Sequence, residues 1–191
     1  MQKREVVVVS GVRTAIGGYG GSLKGHAPGA LAGMLVAETV KRAGVTPQQV
    51  GHSVFGNVIH TEPADMYMGR IAAINGGLPH ETPALTINRL CGSGLQAVIT
   101  AAQQVELGIC DTVIAGGAES MSRSPYWLPT ARFGQRMGDG AMVDPMLGAL
   151  HCPFNHIHMG MTAENVADKY GISREQQDGL ATQSHNRAQR A

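Results

Sequence analysis

Asn88-Arg89-Leu90-Cys91-Gly92-Ser93-Gly94-Leu95 joins an apolar run, Leu85-Thr86-Ile87, to a long helical pattern over residues 92–107. The nature of that junction decides the fold. A short β-branched run that passes through a glycine-flanked turn into a helix is one half of a strand–helix–strand unit. Working outward, the same alternation repeats. Residues 53–59 read as a strand, and residues 67–75 as a helix stopped by Gly76-Gly77. Residues 112–115 read as a further strand after Gly108 ends the long helix. Nearer the start, residues 6–9 are four consecutive valines, which predicts a fully buried strand. Leu31, Met34, Leu35 and Val40 share one helical face up to Gly44, and Thr46-Pro47-Gln48-Gln49 resembles a helix start with proline at its first position. Strands alternating with helices imply a layered α/β domain with a mostly parallel sheet. The helix over 92–107 carries a single charge, Glu106. A helix apolar nearly all round predicts a buried central helix covered by more than one layer.

At the junction itself, Cys91 falls where a strand turns into a helix. Unpaired N–H groups at a helix N-terminus carry partial positive charge, which favours a thiolate and predicts a lowered thiol pKa. Gly92 and Gly94 leave the sulfur unobstructed, and their N–H groups could stabilise an oxyanion on an attacked thioester. The competing reading is an inert cysteine, since free Cys is among the most buried residue types. The local pattern leaves both readings open. The glycine-rich segment at 17–21 does not fit a P-loop, because Leu23 stands where that motif needs Gly before Lys24. It reads as a loop.

Composition changes after Ser120. Residues 121–158 hold Tyr126, Trp127, Phe133 and Phe154, half of all the aromatics, with four prolines and little periodicity. The organisation expected is therefore an α/β domain over 1–120 and an irregular insertion over 121–191. Methionines are dense there (Met121, Met137, Met142, Met146, Met159, Met161), as gap-fillers in an irregular core would be. Arg123, Arg132 and Arg136 suit a solvated face better than an interface. Regular structure is expected to resume at Thr162-Ala163-Glu164-Asn165. Ser173-Arg174-Glu175-Gln176 is a capping-box pattern that opens a helix with no stop signal before Ala191, so the sequence is expected to end inside an element. His151, Cys152, His156 and His158 lie within eight residues and are all possible zinc ligands, yet their spacing matches no established pattern and no second pair lies nearby.

The totals exclude several classes. Formal net charge is +1 and no run of Lys or Arg exceeds two residues, so nothing marks a nucleic-acid footprint or an anionic membrane surface. Cys91, Cys110 and Cys152 are odd in number and widely spaced, which argues for a reducing compartment rather than a disulfide framework. The valines at 6–9 are too few for a signal-peptide core, so the expected location is cytoplasmic.

Four stretches resemble one known family, the thiolases. They are Val8-Val9-Ser10-Gly11-Val12-Arg13-Thr14-Ala15-Ile16-Gly17, Asn88 through Ala97, Gly116-Gly117-Ala118-Glu119-Ser120-Met121-Ser122, and His158-Met159-Gly160-Met161-Thr162-Ala163-Glu164-Asn165. They lie in order across nearly the whole chain and look closest to the bacterial β-ketothiolase or acetyl-CoA acetyltransferase group. The resemblance implies a thiolase-like layered fold with part of an inserted loop domain. It implies a cysteine nucleophile at Cys91, whose amide forms one oxyanion hole together with an N–H from a second half. It implies Claisen condensation of acetyl-CoA, or thiolysis of 3-ketoacyl-CoA in reverse, through an acyl-cysteine. It places Leu150, His158 and Met159 along the coenzyme A arm and acyl entrance, with coenzyme A thioesters as substrates and no covalently bound cofactor. It also implies a homodimer or tetramer.

The sequence departs from the family in one respect. Thiolases build the fold twice, and the second copy carries a Gly-His-Pro histidine, a Cys-x-Gly-Gly-Gly segment and an Asn-Glu-Ala-Phe loop. None of the three occurs here. The chain is expected to hold the nucleophile without its acid/base partners and to be inactive alone. The alternative is a truncated, non-catalytic partner that binds acyl-CoA or dimerises. A papain-like hydrolase is disfavoured because Gly94 and Leu95 stand where its signature needs Cys and an aromatic. A β-ketoacyl synthase shares fold and nucleophile but not the four matched stretches.

Overall fold

The computed structural model describes residues 4–191, which divide into two compact units, one up to Met146 and one from Leu147 to Ala191. The compositional change after Ser120 falls inside the first unit.

The first unit is built on a parallel sheet of β1 (His52–Gly56), β2 (Ala84–Ile87) and β3 (Val113–Gly117), in the order β2-β1-β3. Both of the outer strands pair in parallel with β1; Phe55 lies opposite Thr86 on one side and Gly116 on the other. Helix α1 (Pro28–Ala43) starts with Pro28, where a missing N–H costs nothing, and stops at Gly44, whose φ of 68° suits a residue without Cβ. Helix α2 (Met68–Asn75) follows β1, and α3 (Ser93–Glu106) follows β2.

Side chains alternate across a strand, so the two faces of β1 can be assigned. Ser53 and Phe55 face α2: the Ser53 hydroxyl donates to the Gly69 carbonyl at 3.0 Å, and Phe55 packs with Val36, Met68 and Ala72. Gly56, of opposite parity, faces α3, where an added Cβ would stand 2.6 Å from that of Ser93. The core lies on the first of these faces. It consists of Ala32, Val36, Val40, Val50, Phe55, Met68, Ala72, Ala73, Leu78 and Ile114. Glycines make this layer thin. A Cβ at Gly33 would meet that of Asn75 at 2.4 Å, and one at Gly29 would meet Ile71 at 2.6 Å, so α1 and α2 touch nearly backbone to backbone.

Four readings of the sequence need correction. The valines at 6–9 lie outside the sheet and are exposed, Val8 by 83%; a β-branched run becomes a buried strand only where a neighbour completes its hydrogen bonds, and none of the three strands does so. The helix expected to be covered all round buries only Ser93, Ala97 and Ala101, because a three-stranded sheet covers one side of it. Thr46-Pro47-Gln48-Gln49 does form a reciprocal capping box, but it opens a single 3-10 turn since β1 begins three residues later. The helix expected from Thr162 starts at Met159, as described below.

The second unit contains α5 (Met159–Tyr170) and α6 (Arg174–Arg190), preceded by a short helix α4 (Pro145–Ala149) that straddles the division. Gly171 ends α5 at φ 62°, and Ser173 with Gln176 caps α6 reciprocally, as the sequence predicts. No residue of this unit is buried. Among the described residues, no helix is long and apolar enough to cross a membrane.

Candidate functional site

All three strands run the same way, so their carboxyl ends share one edge of the sheet, which is where ligands bind in open α/β folds. The segments leaving that edge carry Asn57 after β1, Cys91 after β2 and Glu119 after β3. Cys91 is exposed.

The turn that presents Cys91 is tightly wired. The Leu90 amide donates to Asn88 Oδ1 at 2.9 Å. The Ser93 hydroxyl accepts from the Arg89 amide at 2.9 Å and donates to the Leu90 carbonyl at 2.7 Å. Two main-chain bonds of 3.0 Å, from Gly92 to Arg89 and from Ser93 to Leu90, close the turn. Arg89 spans it by pairing with Gln96 on α3. The result holds Leu90 at φ 47°, a left-handed conformation that costs a leucine roughly 1–2 kcal/mol. Strain of that kind persists only where the surroundings over-determine it, and here it immediately precedes the cysteine.

Helix α3 lies close over the strand ends because two of those ends are glycine. Gly56 leaves room for Ser93, and the position a Cβ would take at Gly117 is 3.6 Å from the Gly94 Cα. Gly92 is the N-cap of α3, without a side-chain cap, and the first-turn amides of Gly94 and Leu95 have no acceptor among the described residues. These N–H groups and the helix dipole make the neighbourhood of Cys91 suited to an oxyanion.

Glu119 was legible as part of a matched stretch but not as a structural element. Its carboxylate accepts from the amides of Val58 at 2.9 Å and Ile59 at 3.1 Å, while Asn57 Nδ2 donates to the Ala118 carbonyl at 2.8 Å. These bonds stitch the exit of β1 to the exit of β3. Burial raises the Glu119 pKa above the ordinary carboxylate range, opposed by the two amides. The signal available beforehand was an acidic residue two positions beyond a strand ending in Gly-Gly. A cleft of about 360 Å³ lies between residues 14–19 and residues 119–122. Cys91 does not line it, so it is not the cysteine's own pocket.

Cys110 is half-buried, and burial together with the Asp111 charge raises its thiol pKa above the usual range. Cys152 lies in the second unit, half-buried. In that unit, residues 150–159 form a hairpin closed by the Met159 amide on the Leu150 carbonyl at 2.8 Å and the Cys152 amide on the Ile157 carbonyl at 2.9 Å. The hairpin brings Leu150, His158 and Met159 together. His158 is the N-cap of α5; its Nδ1 accepts from the Gly160 amide at 3.0 Å, which moves the helix start ahead of Thr162. Among the described residues, no three of His, Cys, Asp and Glu converge as metal ligands would, including those of the 151–158 cluster.

Comparison with known proteins agrees with the fold. The family profile described as the thiolase N-terminal domain matches residues 6–191. Beta-ketothiolase BktB of Cupriavidus necator is 64% identical over 188 residues, which is 98% of this chain and 48% of that protein. The crystal structure of the Bacillus anthracis acetyl-CoA acetyltransferase superposes with a TM-score of 0.89 at 42% identity, over 96% of this chain and 46% of that one. Human mitochondrial 3-ketoacyl-CoA thiolase, solved in complex with CoA, gives 0.84 at 38%, over 90% and 44%. The chain spans about half the length of the curated relatives it matches.

Proposed function

The chain belongs to the thiolase family, and from that premise we propose that Cys91 is the nucleophile of an acyltransferase acting on coenzyme A thioesters. The observation that carries the reading is the junction at residues 88–96: an exposed cysteine, behind a strained Leu90, held at the carboxyl edge of a parallel sheet beside uncapped helix amides.

The Cys91 thiolate attacks the carbonyl carbon of an acyl-CoA. The carbonyl electrons move to oxygen, where first-turn amides of α3 can meet the charge. The intermediate collapses, the bond to the coenzyme A sulfur breaks, and the departing thiolate takes up a proton. The acyl group remains on Cys91 Sγ. In the second half-reaction the α-carbon of acetyl-CoA, deprotonated by a base, attacks that acyl carbon and expels the Cys91 thiolate, giving a 3-ketoacyl-CoA; thiolysis is the reverse. The base and acid for this step match no residue of this chain; in the family they lie in the second copy of the fold.

The same reading places residues 121–191 in the loop domain. Leu150, His158 and Met159 lie along the coenzyme A arm, in an assembly of two or four copies in the cytoplasm. Relatives named as acetyl-CoA acetyltransferase and a relative solved with CoA support it. Incubation with acetyl-CoA followed by peptide mapping tests it: an acetyl group on the Cys91 peptide, absent after Cys91→Ala, is the expected result. Binding of acyl-CoA without any acetylation would favour the non-catalytic alternative.

A further inference from the structure

Ser93 opens α3 two residues beyond Cys91 and is only 6% exposed. The main chain on the other side of the cysteine fills both roles of its hydroxyl. The hydroxyl accepts from the Arg89 amide at 2.9 Å and donates to the Leu90 carbonyl at 2.7 Å. The Ser93 amide donates to the same carbonyl at 3.0 Å. One residue therefore holds the Leu90 oxygen with two donors, and the missing side chain of Gly56 lets that residue sit against β1.

The consequence appears at the far end of the peptide bond. The Leu90 carbonyl and the Cys91 amide belong to one peptide unit. That unit is planar and trans, so its C=O and N–H point in opposite directions. Pinning the oxygen onto Ser93 turns the Cys91 N–H away from Ser93. This N–H has no acceptor among the described residues, and it belongs to the exposed residue that carries the sulfur. The bond also acts on donor strength. A donor on the carbonyl oxygen draws charge through the amide and makes its N–H a better donor, and the Arg89 N–H strengthens the Ser93 hydroxyl in the same way. Leu90, left-handed at φ 47°, shows that the segment is held there against its own preference.

We propose that Ser93 is a positioning residue that aims and strengthens the Cys91 amide as a donor to the carbonyl oxygen of the acyl thioester under attack. It acts through the Leu90–Cys91 peptide unit and not on the thioester itself. The proposal rests on the acyl-CoA reading above and adds to it the residue that sets the direction of this N–H.

Two reagents separate this role from a merely structural one. Acetyl-CoA is attacked at a carbonyl carbon, and negative charge develops on the oxygen. Iodoacetamide is attacked at a saturated carbon, iodide leaves, and no oxyanion forms. Ser93→Ala is expected to slow acetylation of Cys91 at saturating acetyl-CoA about 10-fold, less than the roughly 10²- to 10³-fold loss when an oxyanion donor is removed outright, because the Cys91 N–H remains. The half-saturating concentration of acetyl-CoA and the rate of Cys91 alkylation are expected to stay at their wild-type values. Ser93→Thr and Ser93→Val are nearly equal in volume and differ in the hydroxyl, so they repeat the comparison if the alanine variant does not fold. The threonine protein is expected to acetylate about 10-fold faster than the valine protein and to alkylate at the same rate. Acetylation unchanged by loss of the hydroxyl, or acetylation and alkylation falling together, overturns the positioning role. Wild-type protein that takes no acetyl group on Cys91 overturns the acyl-CoA reading instead, and the role of Ser93 falls with it.

Discussion

The two faces of the sheet in the first unit are covered by helices of similar apolar character to very different depths. Helix α1 buries Pro28, Gly29, Ala32, Gly33, Val36 and Val40 against α2 and the strands. Helix α3 buries three residues and leaves Leu95 68%, Val98 46% and Ile99 38% exposed. The difference comes from what lies beyond each helix. Two helices cover each other through a glycine contact on one face, whereas α3 lies alone on the other. The bare face also carries the candidate nucleophile at its start. Stability in this unit is therefore expected to reside on one side of the sheet, and chemistry at the edge of the other.

The largest effect that could break this contrast is a buried charge. Val36→Asp places an unpaired carboxylate where no water reaches and is expected to cost at least about 4 kcal/mol, enough to unfold the unit. Leu95→Asp, on the exposed side of α3, is expected to stay within about 0.5 kcal/mol. Urea titrations of the two variants check this, and equal losses would remove the asymmetry.

Gly56→Val probes the one place where α3 does press on the sheet. A side chain there meets Ser93 and its backbone below van der Waals distance, so α3 must lift. A loss of about 1–3 kcal/mol is expected, with slower acylation of Cys91 than of wild type under native conditions. An unchanged melting curve and acylation rate would show that the approach is not needed.

Thiol reactivity compares the two ends of α3. Cys91 is exposed at its start; Cys110, just beyond its end, is half-buried with a raised pKa. Iodoacetamide at neutral pH is expected to label Cys91 first and Cys110 several times more slowly. Peptide mapping that found Cys110 modified first would reverse the assignment.

The smallest effect concerns the strand exits. Because burial raises the Glu119 pKa, the folded chain holds that proton to higher pH than the unfolded chain. Its contribution to stability is then greatest below the ordinary carboxylate pKa and declines as pH rises through the raised value. Glu119→Gln does not titrate, so the stability difference between wild type and variant should narrow or reverse in that sense from about pH 4 upward. A pH-independent difference in urea titrations would contradict the shift.

Much of this molecule could be read from local chemistry. Pro28 and Gly44 bound α1, Gly76 ends α2, and the capping box at Ser173 opens α6. Each works through dihedral preference or a bond to a neighbour a few residues away, so sequence alone specifies it. The place of Cys91 between strand and helix was legible for the same reason, since a glycine-flanked junction is a local pattern; its role came only with the family resemblance. Coverage was not. The valines at 6–9 and the faces of α3 are apolar in sequence, but whether an apolar residue is buried depends on a second surface arriving from elsewhere in the chain or beyond it. The left-handed Leu90 and the Glu119 carboxylate on residues 58 and 59 were likewise decided by tertiary structure. A strained dihedral survives only inside a network of bonds. A carboxylate reaches two amides sixty residues away only because the sheet sets the exits of two strands side by side.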